Sequence, residues 1–163
     1  MTTPKKRGEE SPAEAFLSMA RQYHLAAITL QPLHERAEQP VYFLFTHTIE
    51  LALKAYLRSH GLPTPRGSQG HALRDLLEQC YRNGLQAGLD LQNVVQLLES
   101  ENSRHGFRYF LFEGAGRPEI NWLHEVVDEL MRVIEKEVSK RPTQRLASAG
   151  AVMKIIMSKP VKK

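Results

Sequence analysis

Apolar residues recur along this chain at spacings of three and four, the period of α-helices that pack against a core. The first such segment opens with Ser11-Pro12-Ala13-Glu14. Serine as N-cap, proline at the first helical position and glutamate at the third favour the start of a helix. The segment runs to about Leu30, and Pro32 ends it. Its predicted inward residues are Phe16, Met19, Ala20, Tyr23, Ala27 and Leu30.

The most apolar segment runs from Val41 to about His60, directly after Pro40. It is too long for a strand, and its apolar residues lie on most sides of a helical projection. This pattern is typical of the central helix of a bundle.

Three further helices are predicted in the second half of the chain. One spans His71 to Asn83 with Gly84 just past its end, one is capped by Asp90, and one runs from about Glu119 to Lys140. Their predicted inward residues are Leu73, Leu76, Leu77, Cys80, Val94, Val95, Leu97, Leu98, Trp122, Val126, Val127, Leu130, Val133, Ile134 and Val138.

The linking segments carry loop signals rather than strand signals. Residues 61–70 are rich in glycine and proline, and residues 107–112 are strand-like but lack a partner strand, so an extended link is expected there. The fold class predicted is all-α: an up-and-down bundle of about five helices over residues 11–140. A disordered leader, residues 1–10, precedes it, and a flexible basic tail, residues 141–163, follows.

Charge is distributed unevenly between the bundle and the tail. The net charge is +4, but residues 141–163 hold six basic and no acidic residues, so the rest of the chain carries −2. A basic tail can bind nucleic acid or an acidic partner, or it can simply be a solvated end. The solvated end is the favoured interpretation.

Composition and missing motifs exclude several classes of protein. Cys80 is the only cysteine, which rules out an intramolecular disulfide, and neither a bilayer-spanning run nor a secretory leader is found, so a cytoplasmic protein without membrane contact is predicted. The motifs for phosphate loops, dinucleotide binding, serine nucleophiles and zinc are absent. We therefore predict no cofactor and no metal, and the sequence leaves open whether the chain is an enzyme.

The first candidate site lies inside the apolar second helix. His47, Glu50 and Lys54 are spaced by three and four residues, which aligns them on one stripe of the helix. Buried unpaired groups of this kind are costly, so they must pair with one another or face something polar. A structural network and a polar groove that binds a ligand both remain open, and the network is slightly favoured.

The second candidate site follows the fourth helix. Arg104, His105, Arg108 and Tyr109 cluster there, together with Phe107. Arginines hold phosphates, aromatic rings stack on bases and histidine moves protons, so this composition suits an RNA-facing site. An ordinary surface corner has the same composition, and the two interpretations are evenly balanced.

Residues 50–57, Glu-Leu-Ala-Leu-Lys-Ala-Tyr-Leu, resemble the ELxLKAxL pattern in the second helix of HEPN domains, a family of helical bundles common in bacteria and archaea. Gly70-His71-Ala72-Leu73 and Phe107-Arg108-Tyr109 add to the resemblance, which extends over about residues 12–140. Membership would imply a homodimer with a groove between the protomers. Many members are metal-independent ribonucleases of toxin–antitoxin or defence systems, whereas others only bind nucleotides or partner proteins.

The resemblance is incomplete at the ribonuclease motif, in which four to six residues separate an arginine from a following histidine. His105-Gly106-Phe107 matches the end of the motif, but Ser100 stands at the shortest spacing for the arginine. The pairs Arg66/His71 and Arg117/His124 fit the bare spacing at a frequency expected by chance. The sequence therefore predicts an RNA- or nucleotide-binding homodimer without robust catalysis.

Two alternatives remain. One is an endoribonuclease in which His105 acts with Arg104, or with Arg108, and the other is a structural partner for a protein encoded nearby. Two expectations about geometry follow from the preferred hypothesis. The stripe of His47, Glu50 and Lys54 should share one groove with the residue 104–109 cluster. In addition, Val41, Phe43, Phe45 and Ile49 should leave apolar surface for self-association through the second or the last helix.

Overall fold

The computed structural model describes residues 12–65, 72–103 and 117–141, except for the side chains of 100–103. These residues form five α-helices and one 3-10 turn, without strands, so the predicted all-α bundle is confirmed. The helices are α1 (Ala13–Leu30), α2 (Glu38–Ser59), α3 (Leu73–Arg82), α4 (Leu89–Ser103) and α5 (Ile120–Ser139), and the 3-10 turn is Gln31–Leu33.

The first two helices begin within a few residues of the predicted positions. Pro12 is the N-cap residue of α1, one position later than the predicted Ser11, and its carbonyl oxygen accepts hydrogen bonds from the amides of Ala15 and Phe16. Helix α2 begins at Glu38 rather than Val41, so Pro40 lies inside its first turn. Proline is tolerated there because the first amides of a helix have no partner within the helix.

Capping residues explain where α3 ends and where α5 begins, whereas α4 begins without its predicted cap. Gly84 follows α3 with a φ of 91°, a left-handed conformation that glycine adopts without steric cost. Helix α4 begins at Leu89, so Asp90 lies in its first turn and is not the predicted cap. Glu119 caps α5, since its carboxylate accepts hydrogen bonds from the amides of Asn121 (3.0 Å) and Trp122 (2.9 Å).

Helix α2 is the centre of the bundle and packs against α1, α3 and α5. Helix α4 packs between α3 and α5, and α5 also contacts α1, which closes the bundle. The predicted core is largely confirmed, but Met19 is exposed and Leu17 is buried in its place. Of the other predicted inward residues, those that are only partly buried are Phe16, Tyr23, Leu30, Leu97, Trp122 and Val133.

The apolar residues expected to support self-association are mostly hidden within one protomer. Val41, Phe45 and Ile49 are fully buried, and Phe43 is half-buried. Val41, Phe45 and Ile49 therefore leave no apolar surface for self-association, and the homodimer stays a prediction. In the part of the chain that the structure describes, four large apolar side chains are exposed: Met19, Leu25, Leu33 and Leu89.

Among the described residues, none of the helices combines the length and the apolar character needed to cross a bilayer. The predicted leader, the residue 107–112 link and the tail after Arg141 lie outside the described residues. So do Ser11, the predicted N-cap of the first helix, and His71, the predicted first residue of the third.

Candidate functional site

The polar stripe of α2, formed by His47, Glu50 and Lys54, exists as a connected ion-pair network. The Lys54 Nζ donates a hydrogen bond of 2.6 Å to Glu50 Oε1, and His47 Nδ1 lies 3.6 Å from Glu50 Oε2. The Glu50 side chain is 5% exposed, Lys54 12% and His47 21%. The stripe therefore has a buried carboxylate at its centre and two partly accessible ends.

His47 lies between two aromatic rings. The Phe43 ring stacks on it at 5.6 Å with an interplanar angle of 11°, and Tyr23 of α1 meets it edge-on at 4.4 Å. All three rings are half-buried. Their accessible parts, the aromatic rims, lie close to the Glu50–Lys54 ion pair through His47.

Packing accounts for most of the residue 50–57 pattern that carries the family resemblance. Its six apolar residues are all buried, since they face α1, α3 and α5 in turn. Glu50 and Lys54 are the two residues of the pattern that packing alone does not require. A buried charge needs a partner in its own surroundings, and the spacing of four residues provides one.

Arg104, His105, Arg108 and Tyr109 all lie outside the described residues. Helix α4 ends at Ser103, so Arg104 is the next residue along the chain. The shared groove remains a prediction.

Cys80 is a core residue. It is fully buried on α3, its thiol faces the Leu53 carbonyl oxygen at 3.5 Å, and burial raises its pKa to about 12. The thiol therefore stays protonated near neutral pH, which excludes Cys80 as a thiolate nucleophile.

A second polar cluster lies between the first and the last helix. This His–Asp cluster consists of His24 from α1 with His124 and Asp128 from α5, and ligand-type atoms of the three side chains lie within 4.8 Å of one another. His24 Nε2 is 2.8 Å from Asp128 Oδ1, and His124 Nε2 is 3.4 Å from Asp128 Oδ2. Among the described residues, this group is close enough to hold a metal ion.

An open groove of about 380 Å³ runs beside the His–Asp cluster. Its walls come from α1 and α5, and His24 and Asp128 line it directly. Two cations, Arg21 and Arg132, also face the groove, and Arg21 is paired with Glu135 at 2.7 Å.

Sequence reasoning missed the His–Asp cluster because its members are far apart in the chain. His24 and His124 are separated by a hundred positions, so no local spacing links them. The one available signal is that His124 and Asp128 are four residues apart on a helix, which places both on one face.

Searches against protein-family models, curated proteins and solved structures found no match to the chain.

Proposed function

We propose that this chain is a HEPN-like helical domain that binds single-stranded RNA or a nucleotide, as a homodimer and without robust catalysis. The observation that carries the proposal is the polar stripe of α2. Its Glu50–Lys54 ion pair lies beside the partly accessible rings of Tyr23, Phe43 and His47. Aromatic surfaces next to polar groups are how proteins bind unstacked bases.

The charge of the polar stripe decides which part of the RNA it can contact. Glu50 neutralises Lys54, so the ion pair supplies little attraction for phosphate. The proposal therefore gives base contact to the aromatic rims and phosphate contact to Arg104 and Arg108, which follow the end of α4. The homodimer rests on the family resemblance.

Binding of a fluorescein-labelled single-stranded RNA, followed by anisotropy with ATP as a competitor, tests the proposal on the full chain. His47→Gln should weaken binding by about fivefold or more, since the loss of one aromatic contact costs about 1 kcal/mol. His60→Gln is a matched control. Like His47, His60 belongs to α2, as its C-cap residue, and its ring contacts a tyrosine, Tyr56, at 4.1 Å. It lies 13 residues after His47, at the other end of the helix.

The outcomes separate the hypotheses. Saturable binding that is weakened by His47→Gln and unchanged by His60→Gln supports the proposal. Absence of binding by the parent chain, or equal weakening by both variants, contradicts it. Cleavage of the labelled RNA that His105→Ala abolishes would replace it with the endoribonuclease alternative.

A further inference from the structure

We propose that the His–Asp cluster is a binding site for a divalent transition-metal ion of the zinc type, which links α1 to α5. The ligands are the imidazoles of His24 and His124 and the carboxylate of Asp128. This site is independent of the RNA- or nucleotide-binding site proposed for α2.

The distances within the cluster suit a shared ion. Zinc binds imidazole nitrogen and carboxylate oxygen at about 2.0–2.2 Å, which places neighbouring ligands of a tetrahedral ion about 3.3 Å apart. The two nitrogen–oxygen distances to Asp128 are 2.8 and 3.4 Å. All three ligand atoms lie within 4.8 Å of one another, so a shared ion would draw them together by side-chain rotation.

The cluster is poorly explained as a set of hydrogen bonds. His24 Nε2 is buried, and its 2.8 Å contact with Asp128 Oδ1 does not meet the geometry of a hydrogen bond. His124 Nε2 is 3.4 Å from the same carboxylate, which is long for a hydrogen bond. A buried polar atom without a partner costs free energy, and an ion at the centre of the cluster would remove that cost.

The surrounding fold holds the two imidazoles in place. The Phe45 ring, fully buried on α2, lies 6.4 Å from the His24 ring and 5.7 Å from the His124 ring. This apolar support behind both histidines restricts their orientation. Asp128 is 44% exposed and lines the groove, so an ion has a route of entry and a position left for water.

The charges around the groove tolerate a bound cation. Glu135 neutralises Arg21, and the Arg132 side chain donates to the Asp128 backbone carbonyl at 3.4 Å rather than to its carboxylate. The Asp128 carboxylate therefore stays available as a ligand. Two imidazoles and one carboxylate favour zinc over magnesium or calcium, which prefer ligand sets made of oxygen alone.

Metal titration of the full chain, freed of tag and metal, tests the proposal. Zinc binding is measured by competition with a chromophoric chelator, and cobalt(II) reports the coordination geometry through its visible absorption. We expect one ion per chain, a tetrahedral-type cobalt spectrum and a rise of the melting temperature on zinc addition. Asp128→Asn and His124→Gln should each weaken zinc binding by more than about tenfold.

His34→Gln is the matched control, since His34 is a half-buried histidine bonded to the Gln31 carbonyl oxygen away from the cluster. It should bind zinc as the parent does. The melting temperatures of all variants in chelator show whether each one folds. Absence of stoichiometric binding by the parent would overturn the proposal. Unchanged zinc binding in a folded His124→Gln variant would also overturn it. His124 is the more exposed of the two histidines, so its replacement disturbs the core less.

Discussion

At the scale of residues, the Glu50–Lys54 ion pair is the clearest departure from an apolar core. Both side chains are largely buried, because α2 packs against three other helices. Burial removes the water that would hydrate each charge, and the partner charge compensates for that loss. The contribution of the pair to folding stability therefore depends on both partners being present. The sequence could predict the alignment of His47, Glu50 and Lys54, because a spacing of three and four fixes a common face. It could not predict the depth of burial, which depends on how closely α1 approaches.

Removing one partner should therefore be costly. We expect Lys54→Met to lower the free energy of unfolding by about 3 kcal/mol, because the buried Glu50 carboxylate loses its hydrogen-bonded cation. The double variant Glu50→Gln/Lys54→Met should recover about half of that loss. Lys140→Met is the control, since it breaks an exposed Lys–Glu pair on α5 and should cost under about 1 kcal/mol. Urea unfolding measures all three, and equal losses for Lys54→Met and Lys140→Met would refute the role of burial.

At the scale of elements, helix type and approximate bounds could be read from the sequence, whereas the ends depend on capping geometry. Helix α2 begins three residues before its predicted start because Pro40 needs no amide partner in a first turn. Met19 faces solvent although its spacing fits the apolar stripe, because α2 covers the neighbouring Leu17 face of α1 instead.

The Glu119 cap of α5 makes the stability of this helix depend on pH. Hydrogen bonds from the Asn121 and Trp122 amides hold the pKa of the Glu119 carboxyl below its ordinary value of 4.5. A lowered pKa in the folded state gives stability that is present above the ordinary pKa and lost as the pH falls through the folded-state pKa. The melting temperature of Glu119→Gln should thus lie below that of the parent at pH 7, and the difference should disappear in acid.

Glu125→Gln controls for the removal of an exposed negative charge from the same helix. Its melting temperature should follow that of the parent at each pH. A difference between Glu119→Gln and the parent that stays constant from pH 7 to pH 3 would argue against the cap as its source.

At the scale of the whole molecule, α1 connects the two polar clusters. Tyr23 contacts His47 of the stripe, and the next residue, His24, belongs to the His–Asp cluster. Adjacent residues of α1 thus belong to two different polar clusters. Packing around Phe45 brings His24 and His124 together although they are distant in the sequence. The His–Asp cluster could therefore not be predicted from the sequence.

The overall charge distribution bears on the proposed RNA binding. The chain outside residues 141–163 carries −2, whereas that segment holds six basic residues. Basic segments alone attract RNA without sequence preference, and their attraction weakens steeply with salt. Weak binding at low salt therefore does not distinguish the proposed site on α2 from the tail, and the position of the bound RNA must be found directly.

Photo-crosslinking of a 4-thiouridine-labelled single-stranded RNA to the full chain, followed by peptide mapping, locates the RNA. Base contact at the aromatic rims predicts crosslinks in the peptides that contain Tyr23 and Phe43–His47, together with crosslinks at residues 104–109. These crosslinks should persist at moderate salt and be reduced in His47→Gln. Crosslinks confined to residues 141–163, or none at all, would contradict a base-binding site on the second helix.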